Sequence, residues 1–173
     1  MPSTFKHTVE RLNMGQPNNA TCWWASYRMI YKFRNRPLDE IDSRLNPIIN
    51  LEDCKKNGLL DTDYARAANA LGLRSWRGTE FNKKQGFFDI GLSDGAEAFL
   101  NELVVSPLWV SRLIWIGSEK TYHIVIAVGY DDDEKAIIYN NPYPGPTNAN
   151  EQSLKANLFV KFITGANASV QTL

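Results

Sequence analysis

Apolar positions recur at helical spacing from Cys22 to Asn35, where Trp23, Ala25, Met29, Ile30 and Phe33 share a stripe. Asn18, Asn19 and Thr21 stand just before it and are residue types that cap the free amides of a helix start. A second helix is predicted from Pro37 to Leu45, with Pro47 as its stop. A third runs from Thr62 to Leu71, capped by Asp61 and ended by Gly72. Residues 78–92, with paired Phe87 and Phe88, read as a loop, and Asp94 opens another helix through Val104, ahead of Pro107. The character then changes. Leu108–Ile116, Tyr122–Tyr130 and Lys135–Asn140 are rich in β-branched and aromatic residues and predict strands, with Asp131–Glu134 as the turn between the last two. Leu158–Thr164 reads as a final strand, residues 1–15 as an extended lead-in, and the small polar tail 165–173 as frayed. Helices first and strands second predict an α+β protein with a mostly antiparallel sheet. No repeat or Gly/Ser linker divides the sequence, so a single domain over 1–173 is expected.

Composition narrows the function. The chain has 173 residues, with 19 Lys plus Arg balanced by 19 Asp plus Glu. That balance argues against a dedicated nucleic-acid or anionic-membrane binder, which needs a basic excess. No apolar run approaches the ~20 residues of a membrane helix, and the N-terminus has no signal-peptide core, so a soluble protein without membrane insertion is expected. Two cysteines and two histidines are too few for a structural zinc module, and no cofactor or metal is expected. Cys22 and Cys54 read as reduced thiols rather than a disulfide. The acidic run 131–134 lacks the alternating ligands and Gly of a calcium loop and reads as a solvated turn.

The chemistry concentrates in Gln16, Cys22, His123, Asn140 and Asn141. A thiol nucleophile must become a thiolate, and a helix N-terminus lowers its pKa through exposed amides and partial positive charge. Cys22 falls where the capping residues end and the helix begins. An imidazole is needed to move the proton, and His123 opens a core strand, whereas His7 lies in the weakly patterned lead-in. The imidazole in turn needs an orienting partner. With residues 131–134 as the turn, His123 faces Pro142 across the hairpin, and alternation places Asn140 on its face; one bulge switches the choice to Asn141. The amide of Cys22 and the side chain of Gln16 are candidate donors to an oxyanion. Cys54 has no such company and reads as an incidental thiol. Trp23 and Trp24 read as packing between the first helix and the sheet.

The segment Gln16-Pro-Asn-Asn-Ala-Thr-Cys22-Trp-Trp-Ala-Ser resembles the nucleophile region of papain-like cysteine proteases. Its continuation Ala25–Ile30, the strand Tyr122–Asp131 and the segment Ile138-Tyr-Asn140-Asn141-Pro142 are similar to a compact bacterial effector and toxin-type branch of that family. In that branch the third active-site residue immediately precedes Pro, which points to Asn141. Two departures stand out. Trp24 replaces a small residue, and Asn141 replaces the usual Asp, so a neutral dipole would stabilise the imidazolium. Only 101 positions separate Cys22 from His123, fewer than the ~130–150 of plant-type relatives.

The resemblance implies a papain-like fold in which a helical half carrying Cys22 packs on an antiparallel sheet half. It implies an endopeptidase with a Cys22–His123–Asn141 triad, assisted by Gln16, that cleaves a protein or peptide substrate. It further implies a toxin or effector domain, secreted by a non-Sec route, delivered into a target-cell cytoplasm and answered by a cognate immunity protein. The same machinery also serves peptidoglycan amidases, deubiquitinases and acyltransferases, and a relic site would leave only a binding domain.

Overall fold

A computed structural model describes residues 3–81, 91–116, 119–143, 145, 147–163 and 168–172. Its centre is a seven-stranded antiparallel sheet. The strands are β1 Phe5–Lys6, β2 Arg74–Arg77, β3 Leu108–Ile116, β4 Glu119–Asp131, β5 Ala136–Asn141, β6 Asn150–Lys155 and β7 Ser169–Thr172. They run in the order β2-β7-β3-β4-β5-β6, with β1 paired to β4. The helices are α1 Cys22–Phe33, α2 Asp39–Leu45, α3 Leu51–Asn57, α4 Tyr64–Ala70, α5 Gly78–Phe81, α6 Asp94–Val105 and α7 Ala156–Ile163.

Alternation along β3 and β4 divides the core in two. Trp109, Ile124, Ile126 and Val128 face a cluster built with α1 to α4. Val110, Val125 and Ala127, their neighbours in sequence, face a second cluster built with α6 and α7. The expected helical half is therefore one of two helical layers, and the sheet lies between them. On the α1 side Tyr27 stacks on Trp109 with ring centroids 5.2 Å apart, and Trp109 Nε1 donates to the Trp23 carbonyl at 3.3 Å. Removing a fully buried aromatic of this size costs about 3–5 kcal/mol, so Trp109 ties the first helix to the sheet.

Several local expectations are corrected. Leu158–Thr164 is not a strand; α7 occupies Ala156–Ile163, and Ala156, Phe159, Val160 and Ile163 are its buried positions. Their spacing is helical, although their types favour strands. The tail does not fray at 169–172: β7 lies between β2 and β3, with Ser169, Val170, Gln171 and Thr172 all buried. The polar Gln171 is accommodated because its amide accepts from the Tyr27 hydroxyl at 2.9 Å and donates to the Tyr64 carbonyl at 3.1 Å. The sequence reading had no β1, β2, β6 or α3. Asn50 caps α3 by accepting from the Asp53 amide. Phe87 and Phe88 lie outside the described residues.

The hairpin turn is also one residue late. Asp131 pairs with Ala136 inside the ladder, and the turn is 132–135, with Lys135 at φ 49°. The register then shifts between Ala127 and Gly129, a β-bulge. Gly129 is required there because β1 crosses close by, and a Cβ would collide with the Phe5 carbonyl.

Candidate active site

The start of α1 is left without a side-chain cap. Thr21, expected to cap it, is occupied elsewhere: its hydroxyl donates to the Asn18 carbonyl at 3.0 Å and accepts from the Asn18 amide at 3.2 Å. Asn18 Oδ1 accepts from the Ala20 amide at 2.8 Å. These bonds close a tight turn before the helix instead of capping it. The amides of Cys22 and Trp23 are thereby left for the Cys22 sulfur, and both favour its thiolate.

A third donor comes from the sheet. β5 ends at Asn141, and Pro142 has no N–H to continue the ladder. The pairing of Ser111 with Ile124 across β3 and β4 is the non-bonded type, so the Ile124 backbone groups point toward the track that β5 has vacated. Helix α1 fills the gap. The Ile124 backbone favours the ionised form of the Cys22 sulfur, and the Ile124 carbonyl accepts from the Ser26 hydroxyl at 3.4 Å. Cys22 and Ser26 are one helical turn apart. Helix α1 thus meets β4 one residue beyond His123.

The bulge decides between the two asparagines. With Ile126 opposite Asn140, the next position along, Asn141, falls on the face of Val125 and His123. His123 Nε2 and Asn141 Oδ1 are 2.7 Å apart. Asn140 turns the other way, is 1% exposed, and its Oδ1 has no hydrogen-bond partner among the described residues.

The same contacts set the tautomer. The Tyr143 amide donates to Asn141 Oδ1 at 3.0 Å, and Asn141 Nδ2 donates to Gln152 Oε1 at 3.3 Å. Oδ1 is therefore the acceptor, so Nε2 of the neutral imidazole carries the proton and Nδ1 is bare. The Tyr143 ring stands edge-on to the imidazole with centroids 6.5 Å apart.

Gln16 is joined to the same corner, its backbone amide donating to the Pro142 carbonyl at 3.0 Å. Its side chain is 3% exposed, and Nε2 donates to the Asn18 carbonyl at 2.8 Å. Among the described residues the second Nε2 hydrogen has no acceptor. A cavity of about 270 Å³ opens beside Cys22, between Leu59, Leu60 and Tyr64 on one side and Tyr122 and Ile124 on the other.

Electrostatics at rest differ from the expectation of a depressed thiol. Burial pushes Cys22 up to about 11 and outweighs the three amides that pull it down. Burial also lowers His123, with the Asn141 bond opposing and the Arg112 charge assisting. The resting pair is a neutral thiol and a neutral imidazole.

The remaining candidates have structural occupations. His7 Nε2 lies 2.7 Å from the Leu103 carbonyl, and its ring meets Phe5 and Phe33 edge-on. Cys54 is a buried free thiol whose carbonyl accepts from Trp23 Nε1 at 3.3 Å. Trp24 turns away from the sheet: Nε1 donates to Asp42 at 2.7 Å, and Arg28 and Lys55 lie over its ring. Sequence patterning assigned no role to Ser26 or Ile124, whose contact forms only when α1 meets β4.

A family model described as papain-like cysteine protease AvrRpt2 matches residues 5–158, a span that includes all of these positions. A search of curated proteins finds no match to the chain.

Proposed function

The chain belongs to the papain-like cysteine protease family of AvrRpt2, and on that premise we propose that it is an endopeptidase whose triad is Cys22, His123 and Asn141. The observation that carries this reading is the pairing of His123 Nε2 with Asn141 Oδ1 at 2.7 Å, one residue along β4 from Ile124, whose backbone favours the Cys22 thiolate.

The steps follow from that arrangement. The Cys22 sulfur attacks the scissile carbonyl as its proton passes to the bare Nδ1 of His123. The electron pair of the carbonyl moves to oxygen, and the Cys22 amide and Gln16 Nε2 donate to it. Asn141 holds the ring in the required tautomer and stabilises the imidazolium with a neutral dipole. The imidazolium then protonates the leaving amine as the carbon–nitrogen bond breaks. Water, activated by the same nitrogen, releases the acyl group from sulfur. Substrate lies over the cavity beside Cys22.

We further propose that the protein acts as a toxin or effector inside a target cell, where its substrates are proteins and a cognate immunity protein restrains it in the producer. That reading rests on the likeness of residues 16–31 and 122–145 to the compact bacterial branch.

The test is parallel expression of the wild type and Cys22→Ala, followed by proteomic identification of new protein termini. New termini confined to the wild type are expected, together with growth arrest that disappears in the variant. Identical termini in both cultures refute the protease reading. Degradation of purified sacculi by a protein that leaves proteins intact assigns the machinery to the cell wall instead.

A further inference from the structure

Arg112 of β3 lies directly opposite His123 of β4, in a hydrogen-bonded pair of the antiparallel ladder. Residues in such a pair have Cα atoms about 5.5 Å apart and side chains on one face. Arg112 is 7% exposed and His123 is 9% exposed. The guanidinium is not held by an acid. Its carbon lies 5.2 Å from the Tyr139 ring centroid, 5.0 Å from Phe159 and 5.6 Å from Phe162. Among the described residues no carboxylate pairs with it, and its buried Nε has no hydrogen-bond partner. Aromatic faces attract a cation without cancelling its charge, so the field of Arg112 reaches its neighbours unneutralised. The other groups in contact with the imidazole are Asn141 and Tyr143, from β5 and the segment after it. Of these facing groups Arg112 alone is charged at neutral pH.

We propose that Arg112 is a positioning residue for the reaction: a buried cation, caged by aromatic rings, that keeps His123 in its free-base form and so ready to accept the Cys22 proton. The inference rests on the triad proposed above. The charge acts twice. It opposes protonation of the resting ring, which preserves a base for the thiol proton. Once the sulfur–carbon bond has formed and the proton sits on Nδ1, the same repulsion makes the imidazolium a stronger acid toward the leaving amine. The lowered protonation of His123 agrees with this arrangement, although burial is its larger cause.

The experiment is an NMR pH titration of the two histidine rings in the full chain, with His7 as internal reference. The wild-type His123 ring is expected to titrate below the usual 6.5. In Arg112→Met the midpoint is expected to rise by about one pH unit, a tenfold change in imidazolium fraction, whereas Arg112→Lys keeps most of the depression. A midpoint of 6.5 or above in the wild type overturns the proposal without any variant having to fold. An equal rise in the Met and Lys variants also overturns it, because packing rather than charge would then set the ring. The triad itself is read separately, from iodoacetamide alkylation of Cys22 across the pH range in wild type and His123→Ala. Identical profiles there refute the triad while leaving the Arg112–His123 coupling to stand on the titration.

Discussion

The two ends of the β4–β5 ribbon are built from the same kind of backbone and do opposite work. At the closed end the ladder runs to Asp131 and Ala136, and the turn 132–135 is trimmed with exposed charges such as the Lys135–Asp132 pair. At the open end Pro142 withholds an N–H, and the Ile124 peptide groups lose their strand partner. Helix α1 supplies the replacement through Cys22 and Ser26. The difference teaches that an unfinished ladder is a docking point: α1 sets Cys22 and Ser26 against the Ile124 backbone, one residue along the strand from His123.

The sharpest way to break this comparison is at the open end. Cys22→Ala is expected to reduce turnover on the order of 10³-fold or more, while costing about 1–2 kcal/mol of stability because the side chain is buried. Activity and the melting curve, measured on one preparation, separate the two. Asn141→Ala is expected to lower turnover about 10²-fold by releasing the ring, whereas Asn140→Ala, which turns away from His123, leaves it almost unchanged; the reverse order would refute the register. A third test uses pH. The folded thiol titrates at about 11 and the unfolded one near 9.0. The unfolded chain therefore loses its proton first, and stability falls as pH rises from 9 to 11. Denaturant titrations should show the wild type losing roughly 2 kcal/mol more than Cys22→Ala across that window. Alkylation of Cys22 should climb through the same range, with no plateau near neutrality.

Smaller effects sharpen the contrast. Ser26→Ala removes the hydroxyl that satisfies the Ile124 carbonyl and is expected to cost about 1 kcal/mol, read as a shift in denaturation midpoint with turnover largely kept. Asp132→Asn at the closed end should change neither turnover nor melting beyond measurement error, since the Lys135 pair lies at the surface, its side chains 44% and 40% exposed. A turnover defect from Asp132→Asn would show that the two ends are coupled.

Much of this was legible in the chain. The stripe from Trp23 to Phe33 is helical, β3 runs over Leu108–Ile116 as its residue types require, and the order Gln16, Cys22, His123, Asn141 carries the family likeness. The choice of Asn141 over Asn140 was not legible by counting alone. It depends on the bulge at Val128, beside Gly129 where β1 pairs; the later turn alone would have left Asn140 on the face of His123. The strand at 169–172 was not legible because its most polar residue, Gln171, is satisfied by Tyr27 and Tyr64, far away in sequence. The pattern of α7 was read by residue type when its spacing was the better guide.

The sequence by itself determined the α+β class and the antiparallel pairing of the second half, and it singled out the thiol, imidazole and amide of the proposed triad, because periodicity and residue type are local properties. Only the tertiary structure decided that the sheet is covered on both faces, that α1 sets Cys22 and Ser26 against the Ile124 backbone, and that burial raises the thiol and lowers the imidazole. Those outcomes depend on burial and on the direction of backbone groups after packing, and neither exists until the distant segments have met.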